Sequence, residues 1–295
     1  MRIAVVDIGA NTMRLLVADA NGDGIATVRQ ERTHLALGEE VEELGALTPR
    51  AIERAAHALE KHLRHARKLQ CDRIVVLVTS PGRQSANARA LVVALERAGG
   101  VPASVLSADE EAQLAFDGAL AGMDASEATV AVCDVGGGSV QIAVGTRASG
   151  VAWSRSLDIG SLRLTSRFFS ADPPSAGELA AAVAAVAHQF APTSPPLPQS
   201  ALATGGTARA LRSLFGDELD ERVLRNAIDL LAAEPSRTIA RRHDLDRGRA
   251  RTLLAGAIVL AEAQRRLNAP LRVARGGVRE GAVLAAVAEA AAASA

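Results

Sequence analysis

Two segments constrain the fold most: "IAVVDIGANTMRLLVADA" at residues 3–20 and "AVCDVGGGSVQIAVG" at residues 131–145. Each is a short apolar strand that ends on an aspartate, breaks into a glycine-containing turn, and resumes with alternating apolar and polar residues. A third strand follows both times, near 25–36 and in "GVAWSRSL" at 150–157. The two aspartates, Asp7 and Asp134, lie 127 residues apart. Recurrence of the whole strand–turn–strand–strand order implies an internal duplication, hence two related domains, 1–124 and 125–295, with a boundary near 122–128.

The rest of each half alternates helices and strands, which places the chain in the α/β class. Thr48 can cap and Pro49 can open a long helix to about Leu69, followed by "RIVVLVTS" as a buried strand, a helix over 85–98, a strand over 103–107 and a helix over 109–121. The N-G-D-G at 21–24 reads as a turn, and "FAPTSPPLPQS" at 190–200 as a surface loop before another strand.

At 295 residues and 48% apolar composition the chain can bury two cores. With 33 basic and 33 acidic residues it carries no overall field toward nucleic acid or an anionic membrane. Cys71 and Cys133 form no paired motif, so both read as reduced thiols. Only four apolar residues separate Arg2 from Asp7, too few for a secretory apolar region, and a cytoplasmic protein is expected. Glu39, Glu40, Glu42 and Glu43 read as a solvated acidic surface, as do His57, His62 and His65 on the long helix. The arginines between 237 and 251 read either as a mixed-charge helix surface or as a track for a polyanion.

A strand–glycine–strand turn can aim several backbone N–H groups at one point, forming a nest for an anion. An aspartate at the strand end can hold a hydrated Mg2+ that bridges phosphate oxygens. A dinucleotide-binding reading fails, because "GGGSV" lacks the G-x-G-x-x-G spacing and leads into a strand. One turn from each domain, facing a shared cleft, would grip a phosphate chain.

The motifs "VVDIGANTMRLLV", "TSPGRQSAN", "ADEEAQLAFDGAL", "CDVGGGSVQIAVG", "LDIGSLRLTSRF", "ATGGTARAL" and "RGGVREGAV" occur in order over nearly the whole chain. In this they resemble the exopolyphosphatase and guanosine pentaphosphate phosphohydrolase family. The resemblance implies two actin-like domains of the Hsp70 and sugar-kinase superfamily with an interdomain cleft. It implies a Mg2+-dependent exophosphatase that removes terminal phosphate from inorganic polyphosphate, from the 5' end of guanosine pentaphosphate, or from both, with inorganic polyphosphate or guanosine penta- or tetraphosphate as partner and a homodimer among the assemblies open to it.

Carried over by the resemblance, Glu111 would activate the attacking water. Gly9, Asn11, Arg14, Arg83, Asn87, Gly136, Gly137, Gly138, Ser139, Gly205, Gly206 and Thr207 would contact phosphate, and Asp7, Asp134 and Gln141 would serve the metal. Five residues depart from the family pattern: Gln141 replaces a glutamate, Val140 a threonine, Pro81 and Gly82 small or apolar residues before Arg83, and Arg251 an acidic residue. The absence of Tyr and the single Trp leave few aromatic faces for a guanine, which favours polyphosphate. The competing reading is a sensor that binds polyphosphate or a guanosine polyphosphate without turnover.

Overall fold

The computed structural model describes residues 1–21, 24–121, 123 and 128–293, so half of the N-G-D-G turn and most of the boundary near 122–128 lie outside the described residues. The elements run β1 (Arg2–Ile8), β2 (Thr12–Asn21), β3 (Gly24–His34), α1 (Leu37–Leu44), α2 (Pro49–Lys68), β4 (Arg73–Val78), α3 (Ser80–Gln84), α4 (Ala88–Gly99), β5 (Ala103–Val105) and α5 (Ala108–Leu120). They continue with β6 (Val130–Val135), β7 (Val140–Thr146), β8 (Gly150–Leu157), α6 (Ser161–Phe168), α7 (Ala176–Phe190), β9 (Ser200–Thr204), α8 (Gly205–Phe215) and β10 (Glu218–Leu219). Last come α9 (Glu221–Ala233), α10 (Ser236–Arg242), α11 (Arg247–Leu267), β11 (Leu271–Val273) and α12 (Val278–Ala293).

One sheet has the order β3-β2-β1-β4-β5, the other β10-β11-β9-β6-β7-β8. Read from their antiparallel edges, β3-β2-β1-β4-β5 and β8-β7-β6-β9-β11 are the same sheet built twice. The pairings repeat as well: β1 and β6 are antiparallel to the next strand and parallel to β4 and β9. The register fixes the correspondence, because Asp7 opposes Arg14 as Asp134 opposes Gln141.

The chain forms two compact units, Met1–Asp124 with Gly276–Ala295, and Ala125–Arg275. Residues 276–295, placed in the second domain by sequence order, therefore belong to the first. The reason is close packing of α12 on α5. A Cβ on Gly118 would overlap the Gly277 carbonyl, and one on Gly281 would overlap the Leu114 carbonyl, so the helices touch backbone to backbone. Gly281→Ala is expected to destabilise the first unit by about 2 kcal/mol, the range of core overpacking, with the thermal midpoint as readout.

Alternation along β1 builds a core on each face of the first sheet. Ala4, Val6 and Ile8 pack with Leu59 and Leu63 of α2 and Leu91 and Leu95 of α4. Ile3 and Val5 face the other way, with Leu16, Leu77, Ala282 and Val283. In the second unit Ala131, Cys133 and Val135 join Val140, Ile142, Ala203 and α11 in one cluster. Burial in that core pushes the Cys133 thiol up, and the Asp134 carboxylate pushes the same way, so the thiol is inert.

Thr48 accepts a hydrogen bond from Ala51 N at 3.2 Å, the cap that starts α2. The acidic stretch at 39–43 is not a bare surface: it forms α1, whose Leu37 and Val41, one turn apart, are buried. His62 likewise departs from a solvated face. It is buried, Thr33 Oγ1 lies 3.0 Å from its Nε2, and Glu31 lies against both His62 and His65, so the pair ties α2 to β3. Burial pushes the His62 imidazole down, favouring its neutral form.

Candidate active site

In α/β sheets ligands gather at the carboxyl ends of parallel strands, and each unit presents its singular loops there. In the first unit these are the turn after β1, the segment after β4 that forms α3, and the start of α5 after β5. The backbone ties them together: Thr79 N donates to Ile8 O at 3.1 Å and Leu106 N to Val78 O at 3.0 Å. In the second unit they are the glycine turn after β6 and the start of α8 after β9.

The two glycine turns are built alike. Gly9 N donates to Thr12 O and Gly136 N to Ser139 O, both at 3.0 Å. In each case the first N–H groups near the helix after the third strand hold the turn's carbonyls. Ser161 N donates to Gly136 O at 2.9 Å, and Leu162 N and Arg163 N donate to Gly137 O at 2.9 and 3.0 Å. A trans peptide sets each N–H opposite the preceding C=O, so the N–H groups of Gly137 and Gly138 point away from α6, as an anion nest requires. Gly160 makes this approach possible, because a Cβ there would overlap Gly137. In the first turn Ala10 O accepts from Gly38 N at 2.7 Å, and Asn11 O from Leu35 N and Ala36 N, which turns the N–H groups of Asn11 and Thr12 outward by the same logic.

Asp7 shares the face of β1 with Ile3 and Val5, the face covered in part by α12 and packed with Leu106 just before α5. Across the strands it lies in a row with Arg14 and Leu77. Asp134 lies in the equivalent row with Gln141 and Thr204, and Gln141 pairs onward with Ser156. Asp134 Oδ1 also lies at the start of α8, where a Cβ on Gly205 would come within 2.9 Å of it. A helix N-terminus is a favourable place for a carboxylate.

Three acids open α5, and the structure separates them. Asp109 and Glu110 are exposed. Glu110 closes a capping box with Ser107, accepting from Ser107 N at 2.7 Å, and those bonds hold its carboxyl below the usual range. Glu111, only 6% exposed, takes no part in the cap. Its Oε2 accepts from Arg83 Nη2 at 2.6 Å, while Arg83 Nη1 donates to Leu106 O at 2.9 Å. The Pro81-Gly82 departure explains how Arg83 arrives there. Pro81 sits in the first turn of α3, and a Cβ on Gly82 would meet Val105 at 2.8 Å and Val78 at 3.0 Å, so glycine lets α3 lie flat on the ends of β4 and β5.

Other expected positions make contacts of their own. Asn87, expected at phosphate, holds the loop before α2: its Oδ1 accepts from Leu47 N at 2.9 Å and from Ser85 Oγ, and its Nδ2 donates to Leu47 O at 2.8 Å. Thr207 is fully buried against α11, where Gly256 makes room for it, so its side chain faces that helix; Gly205 and Gly206 remain at the start of α8. Three of the arginines of 237–251 make separate contacts. Arg242 pairs with Glu234, Arg251 binds the Phe169 and Ala171 carbonyls, and Arg249 reaches Thr207 Oγ1 at 3.5 Å. Gln141, expected at a metal, has its amide nitrogen on two serine hydroxyls. Thr12 and Ser156 were not singled out from the sequence; the 127-residue register maps Thr12 onto Ser139, and Ser156 becomes visible only through strand pairing.

The model of the Ppx/GppA phosphatase family matches residues 16–290. This chain belongs to the Ppx/GppA phosphatase family. Among curated relatives, an uncharacterized Streptomyces coelicolor protein is 32% identical over 276 residues, 88% of this chain and 82% of that one. Exopolyphosphatase 2 of Mycobacterium tuberculosis is 34% identical over 204 residues, 65% of this chain and 62% of that protein. Among solved structures, the Aquifex aeolicus PPX-GPPA enzyme superimposes with a TM-score of 0.79 at 25% identity, covering 97% of this chain and 99% of that one. Membership makes this chain a phosphoanhydride hydrolase with the two-domain α/β fold of the Ppx/GppA proteins. Among the described residues no helix is long and apolar enough to cross a membrane.

The donors present suit the divalent ion expected of a phosphatase that handles polyanions. Among the described residues no three His, Cys, Asp or Glu side chains cluster to cage an ion. Magnesium does not need a cage, since it keeps several waters and takes one or two carboxylates plus substrate phosphate. Asp7 and Asp134 each offer a carboxylate beside a turn. Asn11 Oδ1, buried and without a hydrogen-bond partner among the described residues, is an acceptor that a metal-bound water would satisfy.

Proposed function

We propose that this chain is a Mg2+-dependent exophosphatase that releases orthophosphate from the ends of inorganic polyphosphate. The observation that carries the reading is Glu111. It alone of the three acids opening α5 is buried and clamped by an arginine, at the same end of the first sheet as the Asp7 turn. Relatives named exopolyphosphatase in Mycobacterium tuberculosis support the substrate class. The lack of Tyr and the single Trp argue against a stacked guanine, so polyphosphate is preferred to guanosine pentaphosphate.

In this reading Glu111 accepts a proton from the water that attacks the terminal phosphorus. Arg83 holds the Glu111 carboxylate in place. In each unit the outward N–H groups of the glycine turn, joined in the first by Arg14, bind phosphoryl oxygens, the preorganised charge stabilisation on which phosphoryl transfer mainly depends. Asp7 and Asp134 are the residues that would hold Mg2+, which when bound neutralises charge on the phosphate oxygens.

The test is phosphate release from polyphosphate, guanosine pentaphosphate and ATP in parallel, with binding measured on the same samples. Release from polyphosphate ahead of the other two supports the proposal. Tight binding without release establishes a sensor instead. Asp134→Asn is expected to raise the Mg2+ concentration for half-maximal rate about tenfold, read from Mg2+ titrations of the rate, because an amide gives a weaker, uncharged ligand. An unaltered Mg2+ dependence would reduce Asp134 to a turn residue.

A further inference from the structure

The segment "RGGVREGAV" at 275–283 leads into α12 and brings a guanidinium inside the fold. Among the described lysines and arginines Arg279 alone is buried, at 7% exposure. Among the described residues it makes no hydrogen bond, and its ion pair is to the adjacent Glu280, Nη2 to Oε1 at 3.9 Å, beyond hydrogen-bond length. The other oxygen of Glu280 is committed to the backbone: Oε2 accepts from Gly277 N at 2.9 Å, at the start of the helix.

Helical periodicity puts Arg279 on one face with Ala282, Val283 and Ala286. Those three pack with Ile3, Val5 and Leu16, so this face is turned to the first sheet. Arg73, which opens β4 opposite Ile3, donates to Ala286 O at 3.2 Å and pairs with Glu289. The later turns of α12 therefore lie at the beginnings of the strands, and its first turn lies toward their carboxyl ends. From Ala286 back to Arg279 the helix rises ~10 Å, and β1 covers ~13 Å from Ile3 to Asp7. Helical side chains lean toward the helix N-terminus, which carries the guanidinium further the same way, to the row of Asp7 and Arg14 beside the first glycine turn.

A guanidinium offers five donors in a planar fork and no acceptor. Burying its charge without hydrogen bonds is costly, and an apolar residue of similar volume in such a place is often neutral or stabilising for the fold. Covering Ile3 and Val5 needs no arginine. The fork does match the oxygens of a phosphoryl group, which it can bind through two parallel bonds. We propose that Arg279 is a substrate-binding residue that donates to the oxygens of a phosphoryl group seated at the Asp7 turn. Arg14 then meets the anion from the sheet, and Arg279 meets it from the helix that covers that sheet. This deepens the proposed function and rests on it in taking the Asp7 turn as a phosphate site.

The experiment is calorimetric titration of methylenediphosphonate, a pyrophosphate analogue whose bridge resists hydrolysis, into the whole protein in Mg2+ buffer. Wild type, Arg279→Met and Arg279→Lys are compared, and the thermal midpoint of each is measured without ligand. Methionine keeps an apolar stem and removes the charge and the donors. It is expected to weaken binding about 30-fold, the scale of a hydrogen bond between charged groups, while the ligand-free midpoint stays level or rises. Lysine keeps the charge and loses the fork, and is expected to weaken binding about fivefold. A residue that served only the fold would show the opposite pattern, a lowered midpoint with affinity kept.

Unchanged affinity in Arg279→Met, a ligand-free midpoint below that of wild type, failure of Arg279→Met to fold, or no binding of the probe by wild type would each overturn the inference. Orthophosphate release from polyphosphate by wild type separates the two proposals. Binding that depends on Arg279 without release leaves this inference standing and removes the hydrolase reading. Release with a KM for polyphosphate that Arg279→Met leaves unchanged does the reverse.

Discussion

Glu111→Gln is expected to lower the turnover of phosphate release by about 100-fold or more while leaving folding and polyphosphate affinity near wild type. Glutamine keeps the shape and one acceptor oxygen, so the Arg83 Nη2 bond to the side chain survives in form. It cannot accept the water's proton, which is the step assigned to Glu111. The neighbouring acids provide a control. Glu110 caps the helix, so Glu110→Gln is expected to cost helix stability and little turnover. Equal losses at the two positions would mean that the first turn of α5 acts only through its fold.

Arg83→Met is expected to lower kcat about 30-fold with a smaller change in KM, and Arg83→Lys to restore only part of the loss. The guanidinium makes two directed bonds, to Glu111 Oε2 and Leu106 O, and a lysine ammonium cannot reproduce that planar fork. An arginine whose main task is substrate affinity would instead show itself as a raised KM with kcat preserved. Steady-state rates over a range of polyphosphate concentrations distinguish these outcomes. Full recovery by lysine would remove the fork from the account.

The strands and glycine turns were legible because their signals are local. Period-two alternation, an aspartate at each strand end and glycine where backbone must approach backbone all lie within a few residues, and the 127-residue repeat carried them into a two-domain fold. The motif singled out Glu111, and its burial beside Arg83 depends on Gly82 packing against Val78 and Val105. What could not be read depended on distant partners. Helix α12 follows the second unit in sequence yet packs on the first, through contacts at Gly118, Gly277 and Gly281 whose partners are far apart along the chain. Helix α1 was hidden because only Leu37 and Val41 mark its buried side among four glutamates. Asn87 matched a motif position while its bonds go to Leu47, and Gln141 found a partner in Ser156 one strand over.

The most direct test follows the products from polyphosphate of one defined length, resolved by chain length over time with wild type and Glu111→Gln. The account predicts that wild type yields orthophosphate and chains shortened from the end, with no mid-length fragments, and that Glu111→Gln binds the polymer but releases phosphate at least about 100-fold more slowly. Internal cleavage by wild type, or undiminished release by Glu111→Gln, would contradict it.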